Sequence, residues 1–187
     1  MAMVVREVRD PEYVPNGDEV AVIETSKGTI GVKLFGRECP LTVGNFIELS
    51  QAGFYDKLAF HARKEDSVVL GGCPITRSMP PNQVYQAVRG VLHGMHPGTG
   101  EAEYRIRDEW ASNPRNHHED GSIVMAHKSD PDSGSCQFYF SLSKQPEFDD
   151  KYTVFGETVE GLDVVHALRV GDRIESIRIE GATEPAE

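Results

Sequence analysis

The run Gly134-Ser135-Cys136-Gln137-Phe138-Tyr139-Phe140-Ser141-Leu142 constrains this chain more than any other segment. Small residues lead into an alternating apolar stretch, the pattern of an exposed loop entering a half-buried strand. A second stretch of this kind lies upstream, from Phe60-His61-Ala62-Arg63 through Val68-Val69-Leu70 to Gly71-Gly72. Ile30, Val32 and Leu34 alternate with small or charged residues, so 20–25 and 29–35 form a hairpin around Ser26-Lys27-Gly28. Gly28 supplies the positive φ such a turn requires. Residues 122–126, 137–142, 153–157 and 174–180 complete a set of strands, and the core is expected to be all-β.

Helical spacing occurs in three places. Val43, Phe46, Ile47 and Ser50 follow Thr42, which is expected to be the N-cap, and Gly53 closes the helix. Leu162, Val165, Ala167 and Leu168 predict a closing helix after Gly161. Between 75 and 100, Val84, Ala87, Val88, Val91 and Leu92 form one apolar stripe of a short helix, with Asn82 as its cap. Residues 1–19 read as an arm, 20–181 as the domain, and 182–187 as a loose acidic tail.

A chain of 187 residues suits one domain. Its net charge of −11 argues against a nucleic-acid partner, because phosphate binding needs clustered Lys and Arg. Cys39, Cys73 and Cys136 include no Cys-x-x-Cys pair, which predicts no disulfide framework and suits a reducing cytosol. No secretory pattern opens the sequence and no apolar run is long enough to span a membrane, so the expected location is cytoplasmic. His93 and His96, with His117-His118, show no closed metal motif. Asp130-Pro131-Asp132-Ser133-Gly134 lacks the closing Glu of a calcium loop and reads as a turn. Neither a metal nor a cofactor is expected.

Phe60-His61, Gly71-Gly72, Gln137-Phe138, Val154-Phe155-Gly156 and Glu160-Gly161-Leu162 together resemble the cyclophilin family of peptidyl-prolyl cis-trans isomerases. So does Pro40-x-Thr42-Val43-x-Asn45-Phe46, and the likeness covers nearly the whole chain. It implies a mainly β fold: a closed antiparallel eight-stranded barrel capped by two helices, with 75–100 as an extra helical insertion. It also implies isomerase activity on the X-Pro bonds of peptide or protein segments.

Rotation about an X-Pro bond breaks no covalent bond and crosses a barrier of roughly 20 kcal/mol. A site must seat the proline ring, hold the flanking backbone and favour the twisted amide. A donor aimed at the prolyl nitrogen stabilises that transition state selectively. The resemblance implies that this donor is the Arg after Phe-His, and here that position is Ala62. Arg63 is one residue on and is expected to face away unless a bulge shifts the register. The candidate catalytic set is therefore Gln137, His61 and Arg63.

The same resemblance maps the proline pocket. Ser67-Val68 stand for the family's Phe-Met, Leu70 for its Gln and Tyr139 for its first pocket aromatic. Glu147-Phe148 stand for its Trp-Leu, Tyr152 for its His, and Ala126-His127 for its backbone-binding Ala-Asn. The expected substrate-binding residues are Val68, Leu70, Ala126, His127, Tyr139, Phe148 and Tyr152. The missing Trp counts against cyclosporin-type ligands. Two functions follow: a weak isomerase, or a catalytically silent module that holds proline-containing segments. The insertion either borders the groove or packs remotely from it.

Overall fold

The computed structural model describes residues 6–92 and 94–182. Residues 1–5, most of the expected tail, and His93 lie outside the described residues. The chain runs β1 (Val20–Thr25), β2 (Gly28–Leu34), α1 (Pro40–Gln51), β3 (Ala62–Lys64), β4 (Val68–Gly71), α2 (Pro81–Val88), β5 (Ser122–Met125), β6 (Phe138–Ser141), β7 (Val154–Glu160), α3 (Leu162–Ala167) and β8 (Ile174–Glu180). The strands form one antiparallel sheet in the order β3-β4-β6-β5-β7-β2-β1-β8. Register shifts at Glu24/Thr25, Gly31/Val32 and Ile123/Val124 add local twist and help curl it.

The expected closed barrel is corrected to an open, curled sheet. Edge strands β3 and β8 do not pair with each other. Contact between the two edges falls just before these strands begin. There the Lys57 and Phe60 N–H groups donate to Ile174 and Asp172 carbonyls, each at 2.8 Å. The Ile174 and Gly171 N–H groups donate back to the Leu58 and Phe60 carbonyls, each at 2.9 Å, and Ala59 bridges Arg173, but β3 and β8 themselves form no ladder. The insertion lies across this seam. Ala59 N–H donates to Thr76 Oγ1 at 2.9 Å, and Arg173 on the far edge donates to the carbonyls of Lys57 and Met79. Covering an unpaired edge satisfies backbone groups that would otherwise be left exposed.

α1 fills the concave face. Phe46 meets Tyr55, Phe138 and Phe155 with ring centroids 5.3, 5.7 and 5.2 Å apart. All four rings are fully buried. Thr42 is not the N-cap of α1. Cys39 occupies that position and makes no side-chain cap bond. The Glu109 carboxylate caps instead, accepting from the Leu41 N–H (3.1 Å), the Thr42 N–H (2.7 Å) and the Thr42 hydroxyl (2.7 Å). A carboxylate at a helix N-terminus satisfies free N–H groups and opposes the helix dipole.

α2 is shorter than the apolar stripe suggests. Its N-cap is Pro80, not Asn82, and the helix stops before Gly90, which has φ 73°. Val84 and Ala87 are buried against Ala59 and Met79, and Leu92 packs on the same cluster. Val88 and Val91 are 44% and 62% exposed. Val91 lies beyond the helix, where its periodicity no longer applies, and Val88, the last helical residue, lines a cleft rather than joining the buried cluster.

The arm is docked along its described length. Val8 bridges to Arg105, and the Arg9 and Arg105 N–H groups donate to the Arg105 and Glu7 carbonyls, both at 2.9 Å. The Arg9 guanidinium lies 3.4 Å over the Tyr104 ring. Glu48 of α1 accepts from the Glu12 and Tyr13 N–H groups.

Candidate active site

Alternation on β4 turns Val68 and Leu70 to one face, and register sets Leu70 opposite Tyr139 of β6. With Ala126, His127, Phe148 and Tyr152 they line a cleft of about 200 Å³. These are the seven residues expected to bind substrate. Tyr152 meets Tyr139 and Phe148 edge-on, at 6.0 and 5.8 Å. Both ring nitrogens of His127 face carbonyls, those of Lys128 (2.5 Å) and Lys151 (2.6 Å), and its ring leans on Tyr152 at 4.6 Å. The wall is apolar and aromatic, suited to a proline ring.

Behind this wall stands a relay that the sequence reading did not assign. The His118 side chain is fully buried and stacks on Tyr139 with centroids 6.1 Å apart. Its Nδ1 lies 2.8 Å from Asp149 Oδ1 and its Nε2 lies 3.0 Å from the Tyr139 hydroxyl. Burial lowers the His118 pKa despite Asp149, so the ring is neutral. Nδ1–H then donates to the carboxylate, and Nε2 accepts from Tyr139. Burial raises the Tyr139 pKa, which keeps its proton on the hydroxyl. Burial also acts to raise Asp149, but hydrogen bonds from the His118 backbone and ring and from His117 outweigh it and hold the carboxyl low. The sequence shows His117-His118 only as a possible metal pair. Nothing local marks a partner 31 residues away.

The expected catalytic residues separate. Gln137 is half-buried, and its Nε2 donates to the carbonyls of Gly98 (2.9 Å) and Gly100 (2.7 Å). Its amide thus holds the loop that ends the insertion. His61 is 3% exposed. Burial pulls its pKa down to about 4, with the Ala59 backbone and Gln137 only partly offsetting this, so the ring is neutral near pH 7. Ala62 pairs with Leu70, while Arg63 pairs with Val69 on the other face. Arg63, the candidate donor, is engaged on that other face. Its Nη1 donates to the Leu168 carbonyl (3.1 Å), and its Nε and Nη2 donate to Glu65 (3.0 and 3.2 Å). Strand alternation without a bulge at this ladder turns it away from the groove. Nor is it a solvated surface Arg, since its side chain is 9% exposed.

Two further clefts adjoin the first. One of about 510 Å³ opens over Ala62 and is walled by Ala87 and Val88 at the end of α2. The other, about 170 Å³, lies between Gly98-to-Glu101 and Ala126-to-Lys128. Leu70 lines all three, and Gln137 lines the latter two. No activated nucleophile appears among the described side chains of these clefts. The Cys136 thiol beside Gln137 is pushed up to about 12 by burial. The arrangement can bind an extended apolar segment and hold an amide. It is not built to break a bond.

Residues 20–184 match the model of the cyclophilin type peptidyl-prolyl cis-trans isomerase family. The chain belongs to that family. It is 40% identical over 161 residues to a peptidyl-prolyl cis-trans isomerase of Synechococcus elongatus, covering 85% of this chain and 94% of the relative. It is 35% identical over 152 residues to peptidyl-prolyl cis-trans isomerase B of Bacillus subtilis, covering 81% and 91%. A cyclophilin type isomerase of Cryptosporidium parvum, solved in the presence of the dipeptide Ala-Pro, superposes with a TM-score of 0.70. That match covers 87% of this chain and 99% of the other at 23% identity, and it supports the fold.

Proposed function

We propose that this protein catalyses cis-trans rotation of X-Pro bonds in peptide or protein segments, at a reduced rate. The carrying observation is the cleft of Val68, Leu70, Ala126, His127, Tyr139, Phe148 and Tyr152, complete beside a strand position, Ala62, that has no donor side chain. The cleft seats the ring, and the surrounding polar backbone holds the chain on either side. Losing one preorganised donor costs about 2.7–4 kcal/mol, on the order of 10²–10³ in rate. Among the described residues no helix is long and apolar enough to cross a membrane. Three free, buried cysteines suit a reducing compartment and support a cytoplasmic setting for this activity as part of the same proposal.

The bare Ala62 position also favours a second reading, a module that binds proline segments without turning them over. Exchange spectroscopy on a proline tetrapeptide separates the two. Line broadening between cis and trans signals that scales with enzyme concentration supports the isomerase. Binding without such exchange supports the silent module.

A further inference from the structure

We propose that the 510 Å³ cleft over Ala62 is a second subsite, which takes an apolar side chain of a substrate residue flanking the proline. The inference rests on the peptide-binding reading of the groove. Leu70 walls both this cleft and the proline cleft, so one extended segment crosses from one to the other. Successive residues advance about 3.3–3.6 Å, which brings a near neighbour of the proline over Leu70. The cleft exists because Ala62 is small and because the insertion stands over it. Ala87 and Val88 form one wall, and Pro97 continues it.

The chemistry of the lining chooses the occupant. Among the described residues no Lys, Arg, Asp or Glu lines the cleft. Its inner histidine, His61, is buried and neutral near pH 7. Both N–H groups of the Gln137 amide are committed to Gly98 and Gly100. The rest of the polar lining is His96 and Thr99, so a carboxylate or ammonium group meets no Lys, Arg, Asp or Glu partner among the described residues to offset the hydration it loses. An apolar one removes its own surface and that of Val88 from water. Val88 is 44% exposed although it points into a concavity, the state of an apolar wall awaiting an occupant.

The test is a set of proline peptides with Gly or Leu at each of two positions on either side of the proline. Binding is measured by calorimetric or NMR titration, independently of turnover. One flanking position should favour Leu over Gly by about tenfold, the scale of a hydrophobic pocket gaining a side chain. Val88→Glu should collapse that Leu/Gly ratio toward unity, and Val159→Glu, an exposed site on β7, should leave it intact. Using a ratio within each variant cancels any general loss of affinity. Equal ratios in wild type and Val88→Glu overturn the subsite. If the Gly-flanked peptide binds but shows no catalysed exchange, only the isomerase reading falls. If no peptide binds, both fall.

Discussion

Ala62 ends at Cβ where the proposed reaction would draw on a donor, and the neighbouring Arg63 is occupied on the opposite face by Glu65 and the Leu168 carbonyl. Ala62→Arg should therefore raise kcat/KM on Gly-flanked proline peptides by about 10²-fold, read by exchange spectroscopy. The same substitution fills the second cleft, so it should also erase the preference for Leu. A folded variant with no gain in rate would show that the loss of the Arg is not what limits the site. His61 supplies a prediction in pH. Its ring titrates at about 4 in the folded chain, against an ordinary value of 6.5. Between those values only the unfolded chain binds the proton. Stability is therefore full above pH 6.5 and falls as pH drops toward 4, by up to about 3 kcal/mol. His118, also lowered, adds to the same slope. Denaturant unfolding at pH 7 and pH 4.5 reads the loss, and His61→Asn should flatten the slope. An unchanged wild-type midpoint would refute the assignment. At this scale the clustering of Val68, Leu70 and Tyr139 in one cleft was legible, because strand alternation and family pattern both place them on one face. The orientation of Arg63 was legible for the same reason. Its burial was not, because Leu168 lies 105 residues away in sequence.

The elements show where local signals stop. α1 was readable from Val43, Phe46 and Ile47, yet its cap was not, because Glu109 reaches Thr42 from 67 residues away. Glu109→Ala removes three hydrogen bonds to the first turn and leaves buried N–H groups unpaired. It should cost about 1–2 kcal/mol, visible as a lower denaturation midpoint with an unchanged m-value. Glu109→Gln should recover part of the loss, since an amide oxygen still accepts but carries no charge. A neutral result for Glu109→Ala would mean that water or another group replaces the cap. In α2 the apolar spacing runs on through Val91 and Leu92, but Gly90 ends the helix first. Periodicity carried past the helix end therefore counted Val91 as buried, and it grouped Val88, the last helical residue, with Val84 although Val88 stays exposed. The structure instead leaves Val88 in the wall of the cleft over Ala62.

In the whole molecule, the open sheet is held by what lies across its ends. The insertion covers the seam between 57–60 and 171–174, while the arm runs along 101–107 and grips α1 through Glu48. Closure was inferred from family pattern, whereas pairing at the seam depends on how β3 and β8 diverge, which no local sequence signal reports. The arm bears on the groove through Glu101, a carboxylate 9% exposed that pairs with Arg6 at 3.1 Å and also with Arg105 and Lys128. Glu101 and Lys128 line the 170 Å³ cleft, and Gly98 and Gly100 of the same loop are held by Gln137. Deleting residues 1–13 removes Arg6 from this cluster, Arg9 from the Tyr104 ring, and the two N–H donors from Glu48. The sheet and α1 keep their own contacts, so the fold should survive with a melting temperature lower by about 5 °C. Hydrogen exchange should accelerate in 98–107 and not in β5 or β6, because only the former loses its pairing strand. Loosening that loop weakens peptide seating without touching Ala62. KM should therefore rise several-fold while kcat changes little. Uniform acceleration of exchange across the sheet, or a fall in kcat alone, would instead make the arm a general stabiliser with no specific hold on the groove.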